Sequence, residues 1–202
     1  MKQWKDPIVT AMSRKKREPF KVLIATVLSL RTKDDCTAEA AKRLFKLADT
    51  PRKILNLDEK TIAQAVYPVG FYNTKAKNIL DICQNLVDRY NGQTPDEIDE
   101  LLTLKGVGRK VANLVLTQGY NKPAICVDTH VHRITNRWGY VETSHPDETE
   151  MVLREVLPKK HWIIINDLLV TYGQNLCMPT SPWCSKCKIR DYCEQKGVKR
   201  SR

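Results

Sequence analysis

Long hydrophobic runs are missing from this sequence, and glycine is scarce. No stretch approaches the roughly 18 apolar residues of a membrane-spanning helix, and the first ten residues, MKQWKDPIVT, contain no apolar run of signal-peptide length. We therefore expect a cytoplasmic protein whose thiols stay reduced. Only 8 of the 202 residues are glycine, while Ala, Leu, Lys and Glu recur in runs. This composition favours helix, because those four residues have high helix propensities.

Acidic residues are also in short supply. The chain has 23 Asp and Glu against 34 Lys and Arg, which gives a formal net charge of +11. Its hydrophobic content of 42% and its length fit a globular protein of one or two domains. The charge indicates a polyanionic partner, with nucleic acid as the default. The alternative is a basic protein whose charge serves only solubility.

Apolar residues recur at helical spacing along most of the chain. The sequence has no internal repeat and no low-complexity segment, and one short piece, KPAICVD (122–128), looks extended. The pattern predicts an all-α protein; in the segment 73–92, an apolar stripe at i, i+3, i+4 and i+7 is formed by Ile79, Ile82, Cys83 and Leu86. We expect helices over 20–30, 34–48, 50–57, 58–66, 73–92, 94–104, 109–119, 128–139, 146–158 and 162–177.

Several polar residues stand where helix caps are expected. Asp34 or Asp35 is a candidate cap for the second helix. Thr94 is predicted to cap the sixth helix, with Pro95 just inside it. Asp128 is predicted to cap the eighth helix, and that role alone would explain its presence.

Four of the seven cysteines form a cluster with the spacing C-x6-C-x2-C-x5-C. In a reducing compartment such density indicates a metal site, and four thiolates fit either tetrahedral zinc or a four-iron cluster. Zinc ribbons usually pair two C-x2-C units, whereas this sequence has one such unit between unequal loops. We therefore favour one [4Fe–4S] cluster. Its candidate ligands are Cys177, Cys184, Cys187 and Cys193.

The remaining cysteines and an H-x-H pair have less specific patterns. Cys36, Cys83 and Cys126 stand in apolar surroundings and are expected to be buried structural thiols. His130 and His132 could suggest metal binding, but structural histidines near a helix start are the favoured interpretation.

The segment LKGVGRKVANLVL (104–116) places a Gly-x-Gly turn directly before a helix. Backbone N–H groups at a helix N-terminus bind anions, so Gly106 and Gly108 indicate either a phosphate site or simply a tight turn. Lys110 falls in the first turn of that helix, where the positive end of the helix dipole disfavours a cation. Together with the neighbouring Arg109, this position suits a neutral amine nucleophile. Most lysines on a polar helix face are nevertheless only solvated.

The same helix has a predicted apolar stripe and a predicted polar face. Val111, Leu114 and Val115 belong to the stripe. Asn113 and Thr117 are expected beside the lysine on the polar face.

Three motifs, in this order, resemble the endonuclease III family of the helix–hairpin–helix DNA glycosylase superfamily. They are LKGVGRKVANLVL, AICVDTHVHRITNR and the four-cysteine cluster, and the resemblance extends over nearly the whole chain. It implies two α-helical domains with a DNA-binding cleft between them. The first is a six-helix barrel with the helix–hairpin–helix motif over residues 18–123. The second is a helical iron–sulfur domain over residues 1–17 and 124–202, which holds the [4Fe–4S] cluster.

The resemblance also implies roles for single residues. Lys110 matches the family's nucleophilic lysine, and Asp128 matches its catalytic aspartate. Gly106 and Gly108 match the hairpin glycines that approach phosphate, and the four clustered cysteines match the cluster ligands. Phe71, in VGFYNTKA, matches the loop that enters the duplex beside the extruded base. Without the resemblance, this phenylalanine would be interpreted as a core aromatic.

These roles describe a bifunctional DNA glycosylase and abasic-site lyase of base excision repair, acting on oxidised pyrimidines. The enzyme flips the damaged nucleotide out of the stack while Phe71 fills the gap. Lys110 attacks the sugar C1′, and the resulting Schiff base promotes β-elimination; Asp128 takes a proton and stabilises positive charge on the sugar. The expected partner is double-stranded DNA with damaged pyrimidines or abasic sites. We expect a monomer that associates with the nucleoid through DNA.

The sequence departs from the family pattern in places that concern DNA contacts. Arg31 stands where the family usually has Gln, which opens the question of opposite-base preference. Lys105 replaces the proline of the common LPGVG hairpin and offers a phosphate contact instead. Lys186 and Lys188, among the cysteines, are either solvated or further phosphate contacts.

Two other functions compete with this interpretation. One is a monofunctional mismatch glycosylase of the same superfamily, against which Lys110 argues because such relatives generally lack that lysine. The other is a non-catalytic DNA-binding module with a structural metal, which predicts salt-dependent binding without base release.

Overall fold

The structure, a computed structural model, describes Trp4, Val9, Thr10 and residues 17–202. Within that part of the chain every regular element is helical and no strand occurs, so the predicted all-α class is confirmed. None of its helices is both long and apolar enough to cross a membrane. The α-helices are α1 (Pro19–Ser29), α2 (Asp34–Leu47), α3 (Pro51–Ile54), α4 (Glu59–Val66), α5 (Tyr72–Tyr90), α6 (Ile98–Leu102), α7 (Arg109–Leu114), α8 (Thr129–Trp138), α9 (Pro146–Val156) and α10 (Ile165–Asn175).

Short helical turns complete the secondary structure. Helix α7 continues without a break into a π-helical segment, Val115–Gly119. Three single 3-10 turns follow later in the chain, at Lys159–His161, Cys184–Lys186 and Arg190–Tyr192.

The described residues fall into two compact units. The first contains Val9, Thr10 and residues 17–122, and the second contains Trp4 and residues 123–202. The predicted placement of residues 1–17 in the iron–sulfur domain mostly concerns residues outside the described part of the chain.

Helix α1 is the centre of the first unit. Each residue from Val22 to Leu28 is buried, because the helix is apolar on all sides and is surrounded by α2, α5, α7 and the π-helical segment. Helix α5 contributes the predicted stripe at i, i+3, i+4 and i+7, and all four of its side chains are fully buried. They are Ile79, Ile82, Cys83 and Leu86.

The start of α6 differs from the prediction. Thr94 and Pro95 precede the helix, and Glu97 is its N-cap residue. The physical reason lies in tertiary contacts: Tyr120 donates from its hydroxyl to the carbonyl of Thr94, and Lys122 donates to the carbonyl of Asp96 over 2.7 Å. Those carbonyls are thereby engaged by side chains rather than by a first helical turn.

Two further predictions at helix surfaces were wrong. Asp34 and Asp35 do not cap α2, since Lys33 is the N-cap residue; they lie in the first turn, where carboxylates favour the positive end of the helix. The predicted polar face of the 109–119 helix is not solvated, because Asn113 and Thr117 are both buried. The hydroxyl of Thr117 donates a hydrogen bond to the carbonyl of Asn113 at 3.0 Å.

The second unit has its own apolar core, formed by one face of α8 against α9 and α10. The extended piece before α8 enters this core, and no helix or strand forms over it. Cys126 is buried there as predicted, and Cys83 is buried in the first unit, whereas Cys36 is half-buried rather than buried. The core residues are Ile125, Val127, Val131, Ile134, Val141, Leu153, Trp162 and Leu169.

Candidate functional site

Helices α6 and α7 and the hairpin between them form a helix–hairpin–helix unit. The hairpin is held by its apolar residues, since Leu104 and Val107 are buried and the N–H of Val107 donates to the carbonyl of Leu104 at 3.0 Å. Lys105 is exposed and forms an ion pair with Asp81 of α5 at 3.0 Å. A surface pair of this kind contributes little to stability, so Lys105 can exchange its partner for another anion.

The two hairpin glycines stand in different environments. Gly106 has a φ of +79°, and a Cβ there would lie 2.8 Å from Nδ2 of Asn78 on α5. For both reasons the fold itself requires glycine at position 106. Gly108 has extended backbone, with φ −97°, and nothing lies within 4 Å of a Cβ built on it. The fold itself therefore does not require glycine at position 108, and the open space beside it is available to a ligand.

Lys110 is the second residue of α7, and its side chain is half-buried. The helix begins at Arg109, with Gly108 as an N-cap residue that has no side chain to cap it. The helix dipole places partial positive charge at this end. An anion is therefore favoured beside the hairpin.

Arg31 and Phe71 lie side by side on two loops of the first unit. The guanidinium carbon of Arg31 is 5.7 Å from the centroid of the Phe71 ring. Phe71 is 63% exposed, which excludes the alternative interpretation as a core aromatic. It is the N-cap residue of α5, the helix that also contacts the hairpin through Asn78. Phe71 and Asn78 are about two turns apart, or roughly 10 Å along the helix.

A buried lysine that the sequence analysis missed lies beneath these loops. Lys75, on α5, is only 6% exposed, and its ammonium donates to the carbonyls of Leu28 and Leu30 and to Oγ1 of Thr32. Burial lowers the pKa of Lys75 to about 8. The only sequence signal was its place in the stripe pattern, because position 75 lies one helical turn before Ile79.

Asp128 is the N-cap residue of α8, as predicted. Its Oδ1 accepts from the N–H groups of His130 at 2.8 Å and Val131 at 3.0 Å, and the side chain is buried. Both capping bonds use the same oxygen, so Oδ2 takes no part in the cap. The carboxylate is thereby fixed in orientation by the start of α8.

The four clustered cysteines of the second unit line one cavity. No three His, Cys, Asp or Glu side chains in the described residues lie close enough to hold a single metal ion. Four thiols around one cavity are a donor set of the kind that binds zinc or an iron–sulfur cluster. The thiols are Cys177, Cys184, Cys187 and Cys193.

Two donors on helices hold the sulfur atoms in this cavity. Nη1 of Arg137, on α8, lies 3.2 Å from Sγ of Cys177, and the hydroxyl of Tyr172, on α10, lies 2.9 Å from Sγ of Cys187. Burial raises the pKa of Tyr172, so its hydroxyl stays protonated and can donate to a thiolate. Donors of this kind stabilise negatively charged sulfur, and neither residue was singled out from the sequence.

The remaining candidates in the second unit lie at its surface or in polar networks. Lys186 and Lys188 are exposed, and Nζ of Lys186 is 4.2 Å from the ring centroid of Trp183. The imidazole Nδ1 of His132 lies 2.7 Å from Oγ1 of Thr149, in agreement with the structural interpretation of that histidine.

Comparison with known proteins identifies the family. A sequence profile described as "HhH-GPD superfamily base excision DNA repair protein" matches residues 24–159. The chain belongs to the HhH-GPD superfamily. Endonuclease III of Thermotoga maritima is 44% identical over 182 residues, which are 90% of this chain and 85% of the relative. Endonuclease III-like protein 1 of Gallus gallus is 42% identical over 177 residues, 86% of this chain and 63% of the relative.

Solved structures agree with this HhH-GPD assignment. A trapped covalent intermediate of endonuclease III with DNA is similar with a TM-score of 0.84 and 34% identity, over 93% of both chains. A thermostable thymine-DNA glycosylase, at 23% identity and a TM-score of 0.82, shares the fold over 91% of this chain and 87% of its own. The predicted kinship and the predicted class of activity, a DNA glycosylase and lyase of base excision repair, are confirmed.

Proposed function

We propose that this HhH-GPD protein excises oxidised pyrimidines from double-stranded DNA and cleaves the strand 3′ to the resulting abasic site. The observation that carries the proposal is Lys110, a half-buried amine in the first turn of the helix that follows the Gly-x-Gly hairpin. An amine at this place can act as a nucleophile in its uncharged form.

The chemistry needs one nucleophile and one carboxylate. The nitrogen of Lys110 forms a bond to the sugar C1′ while the N-glycosidic bond breaks and the base leaves with its electron pair. Loss of a proton and opening of the sugar ring give a Schiff base, which acidifies the C2′ proton and expels the 3′ phosphate by β-elimination. Asp128 accepts the proton of the attacking amine and stabilises positive charge on the sugar. Its cap uses Oδ1, which orients the carboxylate for this role.

The hairpin supplies the contact to the DNA backbone. A phosphate beside Gly108 approaches the start of α7, where helix N–H groups and the dipole favour an anion. The open space at the Cβ position of Gly108 permits that approach. Lys105 adds a cation by leaving Asp81, and the exposed Lys186 and Lys188 offer further phosphate contacts on the second unit.

Arg31 and Phe71 act on the stacked bases. The exposed ring of Phe71 is an apolar wedge for the gap that the extruded nucleotide leaves, and it offsets part of the unstacking cost of a few kcal/mol. Arg31, in contact with that ring, reaches toward the orphaned base. Its guanidinium has donors only, so it prefers orphaned bases that present acceptors.

The four-cysteine cavity is proposed to hold one [4Fe–4S] cluster. The donor set fits, because four thiols surround one cavity and two of their sulfur atoms have a hydrogen-bond donor from α8 or α10. The cluster would supply covalent cross-links to a tail that has only short 3-10 turns. We further propose a monomer in the cytoplasm, associated with the nucleoid through DNA.

Product analysis over a panel of duplexes tests this function. Each duplex carries an oxidised pyrimidine, a mismatch or an abasic site, and both base release and strand cleavage are measured under single-turnover conditions. We expect release and cleavage on the oxidised pyrimidines, and cleavage on the abasic site. Base release from mismatches without cleavage would instead support a monofunctional enzyme, and tight binding without either product would support a non-catalytic module.

A further inference from the structure

Arg31 and Phe71 are held in contact although each has an unfavourable backbone conformation. Their φ angles are +54° and +58°, in the left-handed region that residues other than glycine rarely adopt. The two residues belong to different loops, one after α1 and one before α5. Such a pair persists only when the surrounding structure fixes both loops.

The ammonium of Lys75, on α5, holds the end of α1 and the loop that follows it. It donates to the carbonyl of Leu28 at 2.7 Å, the carbonyl of Leu30 at 2.6 Å and Oγ1 of Thr32 at 3.1 Å, so all three of its N–H groups are used. The two carbonyls belong to the last turn and the C-cap of α1, where the helix dipole is negative. Lys75 is therefore a cap supplied to α1 by α5.

Thr32 links the same point to the Phe71 loop. Its Oγ1 accepts from Lys75 and also from the N–H of Gly70 at 3.1 Å. A Cβ on Gly70 would lie 2.7 Å from the carbonyl oxygen of Arg31, so only glycine permits the two backbones to approach this closely. The backbones of Arg31 and of Gly70, the residue before Phe71, are thus in direct contact.

The start of the Phe71 loop is fixed separately. Arg43, on α2, donates through Nε to the carbonyl of Ala65 at 2.8 Å and through its guanidinium to the carbonyl of Tyr67. Val69 is buried. Side chains therefore hold the loop on both sides of the exposed ring.

We propose that Lys75 and Thr32, which we call the loop pin, fix Arg31 and Phe71 as one preassembled probe, and that Lys75 is a positioning residue for nucleotide extrusion. This inference rests on the proposed function, in which both side chains enter the duplex. A buried cation is costly unless its position is needed, since apolar residues of similar volume often stabilise a core better. Preassembly removes the cost of ordering two loops when the duplex opens.

Matched variants of Thr32 test the loop pin with little disturbance of shape. Thr32→Val removes the hydroxyl that accepts from Gly70 and Lys75, and Thr32→Ser retains it. Single-turnover excision of an oxidised pyrimidine from duplex DNA is compared with borohydride trapping on a single-stranded abasic oligonucleotide, which has no stack to open. We expect Thr32→Val to slow duplex excision at least about tenfold, because both hydrogen bonds to the hydroxyl oxygen are lost, while single-stranded trapping changes less than about twofold. Thr32→Ser should restore duplex excision.

Lys75→Met removes the cation with little loss of volume and should reproduce the effect of Thr32→Val. Its control is Lys53→Met, which removes the same charge from an exposed lysine paired with Asp49 and should leave duplex excision unchanged. If Lys75→Met does not fold, as judged by its thermal transition, the two Thr32 variants decide the question.

Phe71→Ala separates this inference from the function beneath it. If Phe71→Ala slows duplex excision but Thr32→Val and folded Lys75→Met do not, the loop pin is refuted while the wedge stands. Equal losses on duplex and single-stranded DNA would indicate general damage to the fold and would also refute it. Wild-type excision by Phe71→Ala would overturn the wedge and the inference together.

Discussion

At the scale of single residues, the recurring feature is a buried polar side chain that caps the end of a helix. Asp128 caps α8 through Oδ1, and Lys75 caps α1 through three hydrogen bonds. Capping roles can be read from sequence when the partner is local, as for Asp128. The role of Lys75 depends on carbonyls 45 and 47 positions away, so its pattern alone gave no indication.

Asp128→Asn separates capping from chemistry. Asn caps helices about as well as Asp, so the free energy of unfolding should change by less than about 0.5 kcal/mol. Excision should fall by about 100-fold or more, because an amide accepts no proton. The control is Asp58→Asn on α4, where the same kind of cap accepts from Thr61, and where excision should be unaffected. Undiminished excision by Asp128→Asn would remove this residue from the reaction.

The pH dependence of stability reports the burial of Lys75. Its pKa is about 8 in the folded protein and 10.5 for the free side chain. Below about pH 8 the amine is charged in both states, and the folded state has the full burial cost. Between about pH 8 and 10.5 the unfolded state binds more protons, so the free energy of unfolding rises with pH. The free energy of unfolding, measured with denaturant, should therefore rise with pH across this window for the native protein relative to Lys75→Met. A difference between the two proteins that does not change with pH would contradict the burial of the charge.

At the scale of elements, the two glycines of the hairpin between α6 and α7 have different roles: one meets a requirement of the fold, and the other leaves space for a ligand. Glycine is required at position 106 by the positive φ and by the close approach of Asn78. Neither condition applies at position 108. The motif LKGVG predicted the hairpin, but only the structure distinguishes the two glycines.

The two glycines should therefore respond differently to alanine. Gly106→Ala should lower the free energy of unfolding by about 1 kcal/mol or more, because of its φ and the contact with Asn78. Gly108→Ala should leave the fold intact and weaken binding to a duplex with an abasic-site analogue roughly tenfold, since a methyl group would keep phosphate from the turn. Thermal unfolding and fluorescence titration measure the two effects. An unchanged dissociation constant for Gly108→Ala would place the phosphate elsewhere.

The cysteine-rich tail, residues 177–202, is the other element whose structural requirement can be tested. Residues 177–202 contain only two 3-10 turns, so we expect their order to depend on the cluster. Cys184→Ser should lose visible charge-transfer absorption and iron content, with faster hydrogen exchange over this tail. Cys36→Ser, at a half-buried thiol of the first unit, should keep both signals. A colourless native protein with bound zinc would contradict the cluster.

At the scale of the whole molecule, the sequence was sufficient to predict the fold class and the family, but not which side chains are exposed and which are buried. Apolar periodicity predicted α5 and its buried stripe, and three ordered motifs indicated the HhH-GPD kinship. Periodicity failed where tertiary contacts decide: Tyr120 and Lys122 engage the carbonyls before α6, and the π-helical segment after α7 belongs to a surface that is buried. The exposure of Phe71 could not be inferred from its residue type.

The central claim is that Lys110 is the nucleophile. The most direct measurement is borohydride reduction during turnover on a duplex with an oxidised pyrimidine, followed by peptide mapping of the protein–DNA adduct. We predict one covalent adduct on the peptide that contains Lys110, and none with Lys110→Ala. Absence of an adduct with the native protein, or an undiminished adduct with Lys110→Ala, would contradict the account.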